Sequence, residues 1–207
     1  SLGQTAADAD AVYQWGRHLG WLHRLAMAYR STGTPRNDWR AHAAWMGEVL
    51  GRFPNEDAAR GELDRITEYL SHLPATEETY GLVHYDFETD NVFTGEDGLH
   101  IIDFDDAVYH FYMMDISVCL DEIDDVPEDR REALRQAFLS GYRSEKDFPG
   151  GGEELLPWFS RYNGLLTYVK LLRAMEGSDI PDAPDWYEEL LVKLTNWCDR
   201  YRERIGA

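Results

Sequence analysis

Apolar residues recur every three or four positions between residues 8 and 30, where Val12, Trp15, Leu19, Leu22, Ala26 and Tyr29 share one stripe. That spacing predicts an amphipathic helix with an aromatic-rich buried face. "STGTPRND" breaks it, and a second helical pattern runs from about Trp39 to Leu50. "RFPNED" supplies a turn with Asn55 as a cap, and a third helix follows with Leu63, Ile66, Leu70 and Leu73 on one face until Pro74 ends it. Between residues 82 and 106 the pattern changes to short apolar runs, "NVF" and "LHIID", separated by "TGEDG". This is the one convincing β-type region, and Gly95 and Gly98 around Glu96 and Asp97 predict a tight hairpin loop. Helical spacing then returns, with Pro127 as the first helical residue of 127–142, "FPGGG" as a connection, and a helix over 153–175. Pro184 opens a last helix with Leu190, Leu191, Leu194, Trp197 and Tyr201 facing inward. The expected fold class is α+β, mainly helical, with one small hairpin.

Composition narrows this picture. A chain of 207 residues that is 43% hydrophobic buries one sizeable core or at most two small ones. It holds no apolar run near the roughly 20 residues a bilayer span needs and no signal-peptide pattern at its start, so a cytoplasmic location is expected. The opening "SLGQT" has no methionine, which fits a cloning scar or the start of an excised piece. Cys119 and Cys198 lie far apart in apolar helical patterns and read as buried free thiols; His18 and His23 read as hydrogen-bonded packing residues. The net charge of −19 is uneven: residues 75–129 contain seventeen Asp and Glu and no Lys or Arg. Such a field repels nucleic acid and anionic membranes and attracts divalent metals and cationic small molecules. The run "DEIDDVPED" also reads as a solvated acidic face.

The acidic residues are ordered by the hairpin. With 95–98 as its loop, residues whose numbers sum to 193 or 194 face each other, so Asn91 lies opposite Ile102 or Asp103 at the open end of the ribbon. An asparagine oxygen and a carboxylate there, completed by water and phosphate oxygens, suit magnesium. Asp86, five residues before Asn91, remains to accept a proton, and an asparagine ligates a metal without placing another negative charge beside that base.

His84, Asp86 and Asn91 form H-x-D-x-x-x-x-N, and Asp103-Phe104 ends the next strand. This constellation, with "HYDFETDNV…IIDFDDA…MMDIS", resembles the aminoglycoside phosphotransferase and choline kinase-like branch of the protein-kinase-like superfamily. "GRHLGWLHRL" in the first helix also resembles the start of the family's C-terminal lobe. The resemblance implies that 1–207 is that lobe, catalytic and acceptor-binding. It implies Asp86 as the catalytic residue, Asn91 and Asp103 as magnesium ligands, His84 as a loop-shaping residue, and Asp115 as a brace under the catalytic loop. Tyr85 and Asp105 stand where the family often has glycine. No Gly-rich loop and no strand lysine lie upstream, so the nucleotide-binding N-terminal lobe is absent from this chain, which alone is expected to be inactive. The implied activity is ATP-dependent transfer of a phosphate to a hydroxyl of a small cationic molecule, with Glu88, Asp105 and Asp106 as possible acceptor contacts. The implied partners are nucleotide and acceptor, without nucleic acid or membrane. Two other readings use the same residues: a free-standing C-lobe that binds without catalysis, and a binuclear metallohydrolase drawing on His100 and His110.

Overall fold

Each predicted helix forms, with ends moved by no more than three residues. The computed structural model describes residues 8–33, 36–95, 98–150, 152–177 and 184–205. The elements are α1 (Ala9–Ala28), α2 (Trp39–Leu50), α3 (Asp57–Ser71), β1 (Tyr80–Val83), a 3-10 turn (Thr89–Asn91), β2 (Val92–Gly95), β3 (Gly98–Ile101), β4 (Val108–Phe111), α4 (Met113–Asp124), α5 (Glu128–Arg143), a second 3-10 turn (Glu153–Leu155), α6 (Leu156–Met175) and α7 (Asp185–Ile205). The fold class is α+β and mainly helical. No described helix is long and apolar enough to cross a membrane.

The chain divides into two compact units, one of Ser1–Trp39 with Pro74–Ser160 and the other of Arg40–Leu73 with Arg161–Ala207. In the first, α1 starts on the Asp8 side chain, which accepts from the Asp10 N–H, and packs along α5. The two backbones touch: a Cβ built on Gly16 would lie 2.0 Å from the Phe138 carbonyl oxygen, and one on Gly141 2.0 Å from that of Tyr13. Glycine is required at this crossing by space. Trp15 meets Phe138 edge-on at 5.1 Å and stacks at 6.4 Å on Phe87, so the buried stripe of α1 reaches the loop after β1. That stripe turns toward Gly16, Gly20 and His23, leaving Tyr29 exposed beyond the last turn, contrary to expectation.

The β structure is larger than the single hairpin expected. β2 pairs with β3 antiparallel in the register Val92↔Ile101 to Gly95↔Gly98, which is the predicted sum of 193; loop residues Glu96 and Asp97 lie outside the described residues, as do the opening "SLGQT", Thr34 and Pro35 of "STGTPRND" and Gly151 of "FPGGG". A second antiparallel pair joins β1 to β4, from Tyr80↔Phe111 to Val83↔Val108. Its four-residue strands are too short to show a period, and their partners lie far apart in sequence. β4 delivers the chain to α4, whose first eight residues are all buried.

In the second unit α3 packs with α7. Glu62, on the buried face of α3, accepts from Arg161 Nε at 2.6 Å and from Arg65 Nη2 at 2.7 Å. Asn55 does not cap α3. The N-cap position is Glu56, which makes no side-chain cap bond and instead accepts from Arg202 at 2.9 and 3.1 Å. Leu73 falls past the end of α3, and Pro127 is the N-cap of α5 in place of its first residue. On α7, Cys198 is buried and Leu191, Leu194 and Tyr201 are half-buried, but Leu190 and Trp197 are 40% and 50% exposed. The inward stripe is therefore rotated from the expected one. Both cysteines are free and buried.

Candidate active site

The loop between β1 and β2 carries the motif, and its shape is imposed from below. Asp115, in the first turn of α4, is fully buried, and its two oxygens accept the backbone N–H groups of His84 and Tyr85, each at 2.8 Å. A buried carboxylate needs such donors to offset its lost hydration. A third comes from His23 Nε2 at 3.1 Å. Because the carboxylate only accepts, Nε2 carries the proton, and Nδ1 accepts from the Tyr142 hydroxyl at 2.9 Å. Burial pushes His23 below its ordinary value; the bond to Asp115 and its charge oppose this without overcoming it, so the ring is neutral.

The two bonds to Asp115 hold Tyr85 at φ 72°, in the left-handed region. A glycine takes that conformation freely, and a tyrosine pays roughly 1–2 kcal/mol for it. Its ring is buried against His110, at 6.0 Å between centroids. Asp103 also has positive φ, at 60°, which aspartate tolerates better than most residues. His84 joins the two loops: its Nε2 donates to the Ile102 carbonyl at 2.9 Å, and its ring lies 4.4 Å from that of Phe104.

Asp86 is half-buried, and Asn91 Nδ2 donates both to its Oδ2 at 2.8 Å and to its backbone carbonyl at 3.0 Å. This fixes the amide nitrogen on Asp86 and leaves the amide oxygen as the atom able to ligate a cation. Asn91 is also tied to the second loop, since its carbonyl accepts the Ile102 N–H at 3.0 Å. Asp103, the next residue, is exposed. A neutral amide oxygen and an accessible carboxylate at one hairpin end fit magnesium completed by water and phosphate oxygens. Among the described residues no three His, Cys, Asp or Glu are grouped to hold a metal alone. His100 is exposed on β3, and His110 is buried on β4 with Nδ1 accepting the Phe111 N–H at 2.7 Å, so the imidazoles of a binuclear hydrolase do not converge here.

Glu88, Asp105 and Asp106 are exposed on the flanking loops. Asp105 contributes its backbone, whose carbonyl accepts from Arg36 Nη1 at 2.7 Å, and the Ala107 carbonyl accepts from the same nitrogen at 3.0 Å. Arg36, His23 and Tyr142 are absent from the expected site. The signal for His23 was a polar residue four positions after Leu19 on an otherwise apolar stripe. Arg36 gave none beyond its charge.

The model of the phosphotransferase enzyme family matches residues 2–157. The chain belongs to this family. Among curated relatives, an amicoumacin kinase from Bacillus subtilis (strain 168) is 27% identical over 181 residues, covering 80% of this chain and 53% of that protein. A homoserine kinase from Rhodopseudomonas palustris (strain BisB18) is 28% identical over 171 residues, covering 80% and 51%. The chain thus spans about half the length of these phosphotransferases. A solved amicoumacin kinase, hAmiN in complex with AMP-PNP, Ca2+ and Ami, superimposes with a TM-score of 0.76 at 21% identity, over 96% of this chain and 59% of that one. The phosphotransferase fold is therefore shared.

Proposed function

We propose that this chain is the catalytic and acceptor-binding lobe of a small-molecule kinase that transfers the γ-phosphate of ATP to a hydroxyl of a cationic acceptor. The observation that carries this reading is the Asp86–Asn91 pair, hydrogen-bonded at 2.8 Å beside the hairpin end that bears Asp103. Asn91 and Asp103 would hold magnesium, which when bound neutralises and orients the phosphates. Asp86 Oδ2 is engaged by the Asn91 amide, which supports Oδ1 as the oxygen that would meet the acceptor. The acceptor oxygen bonds to phosphorus as the bond to ADP breaks, and its proton passes to Asp86. His84 and Asp115 keep that carboxylate in place by fixing the loop at the two residues just before it. A nucleotide-binding lobe N-terminal to residue 1 would complete the enzyme, and the cytoplasm would supply its ATP.

The cationic acceptor follows from charge. Seventeen acidic residues without a Lys or Arg occupy residues 75–129, and Glu88, Asp105 and Asp106 are exposed near the loops. A protonated amine gains from such a field at a distance and by local pairing. The test is turnover by the complete protein with amino sugars and amino alcohols against neutral sugars of similar size, at low and high salt. The expected result is a preference for amines that weakens as salt screens the field. Preference for neutral or anionic acceptors, or amine selectivity indifferent to salt, overturns the assignment.

A further inference from the structure

Helix α4 runs beside the catalytic loop and touches it at three points. Asp115 accepts from the backbone of residues 84 and 85, Cys119 donates its thiol to the Phe87 carbonyl at 3.3 Å, and Glu122 takes Thr89. Its Oε2 accepts the Thr89 N–H at 3.0 Å and its Oε1 accepts the Thr89 hydroxyl. Positions 115, 119 and 122 share one face of a helix, so the helix supports the loop along its length. Glu122 is an unfavourable residue for such a place. Burial pushes its carboxyl above its ordinary value; the two Thr89 bonds oppose that, and Asp90 and Asp125 add to it. The transfer chemistry has no use for it.

Thr89 opens the 3-10 turn that ends at Asn91. Within that turn the Asn91 N–H bonds the Glu88 carbonyl at 3.0 Å and the Val92 N–H bonds the Thr89 carbonyl. A turn of three residues has little slack, so holding its first residue by both donors fixes its last. We propose that Glu122 is a positioning residue for Asn91: by clamping Thr89 it sets the direction in which the Asn91 amide oxygen meets the cation. This rests on the reading of Asn91 as a magnesium ligand.

The experiment titrates Mn2+, a paramagnetic stand-in for magnesium, into the complete protein with AMP-PNP, reading free Mn2+ by electron paramagnetic resonance. Glu122→Ala is expected to weaken binding about tenfold, as loss of a group that orients a metal ligand does. Glu122→Gln should recover most of that affinity, because its oxygen accepts the Thr89 N–H and its amide donates to the hydroxyl. Thr89→Val, which keeps the backbone bond, should lose less than Glu122→Ala. Adding Glu122→Ala to Asn91→Ala should cost nothing further, since the ligand being aimed is already gone. Amide exchange without metal should quicken at Thr89 and Asn91 in Glu122→Ala and stay slow in Glu122→Gln. If Asn91→Ala binds Mn2+ like wild type, the metal reading fails and takes this inference with it. If Asn91→Ala weakens binding but Glu122→Ala does not, the inference alone is overturned. Equal losses in Glu122→Gln and Glu122→Ala, additive losses with Asn91→Ala, or unchanged amide exchange overturn it as well.

Discussion

Asp115 shows how one side chain governs a site it does not enter. Its three donors come from His84, Tyr85 and His23, and removing any of them exposes a buried charge to a loss of about 1–3 kcal/mol. The arrangement requires His23 neutral, which gives a pH dependence with a definite sign. In the folded protein burial depresses this histidine, while in the unfolded chain it takes up a proton near its ordinary value of 6.5. The unfolded state therefore binds more protons below that pH, and stability falls as pH drops from 6.5 toward the folded value. Denaturant midpoints between pH 7.5 and 5 should show this segment in wild type and lack it in His23→Gln. Parallel curves for the two proteins would contradict the neutral assignment. At this scale the sequence was informative wherever the chemistry is local. Asp86 and Asn91 lie five residues apart, and the hairpin sum placed Asn91 beside Ile102. The resemblance pointed to Asp115 beneath the loop, but the partners that hold Asp115 itself were illegible because His23 lies 92 residues from it and 119 from Tyr142.

At the scale of elements, the close approach of α1 and α5 depends on the glycines where they meet. Trp15 of α1 stacks on Phe87, and the neighbouring Gly16 meets α5 at Phe138 while Gly141 of α5 meets α1 at Tyr13. Gly141→Ala would drive a methyl into the Tyr13 carbonyl at 2.0 Å, and the chain must separate there. A thermal or denaturant melt should show a loss of about 1–3 kcal/mol, the usual range for overpacking a core. Gly61→Ala on α3 is the control, since its nearest neighbour is the flexible end of Arg65 at 3.7 Å. That change should be neutral or stabilising by up to about 1 kcal/mol through helix propensity. Equal effects at the two glycines would show that helix contact is not what selects Gly141. The helices themselves were legible because three- and four-residue spacing persists over many turns. The β1–β4 pair was not, as four residues carry too little periodicity, and the inner face of α7 was misjudged because apolar residues lie on more than one of its sides.

For the molecule as a whole, the acidic balance agrees with the cationic acceptor proposed above. A chain with net charge −19 attracts cations, and its most acidic stretch carries both the loop with Asp86 and Asn91 and the loop with Asp103. Composition indicated that field but not which carboxylates meet a ligand, because exposure and loop geometry decide that. Membership of the phosphotransferase family is established by the match over residues 2–157, whereas the part proposed for each site residue rests on the resemblance of its motif together with the geometry around it. In the proposed function, Asp86 receives the acceptor proton while Asn91 and Asp103 serve the metal. The most direct measurement is steady-state turnover of the complete protein, wild type against Asp86→Asn, with AMP-PNP affinity measured alongside. kcat is expected to fall by a factor of about 100 or more, in line with loss of a positioned general base, while nucleotide affinity is nearly unchanged. Near-normal turnover in Asp86→Asn, or a loss explained wholly by weaker nucleotide binding, would contradict it.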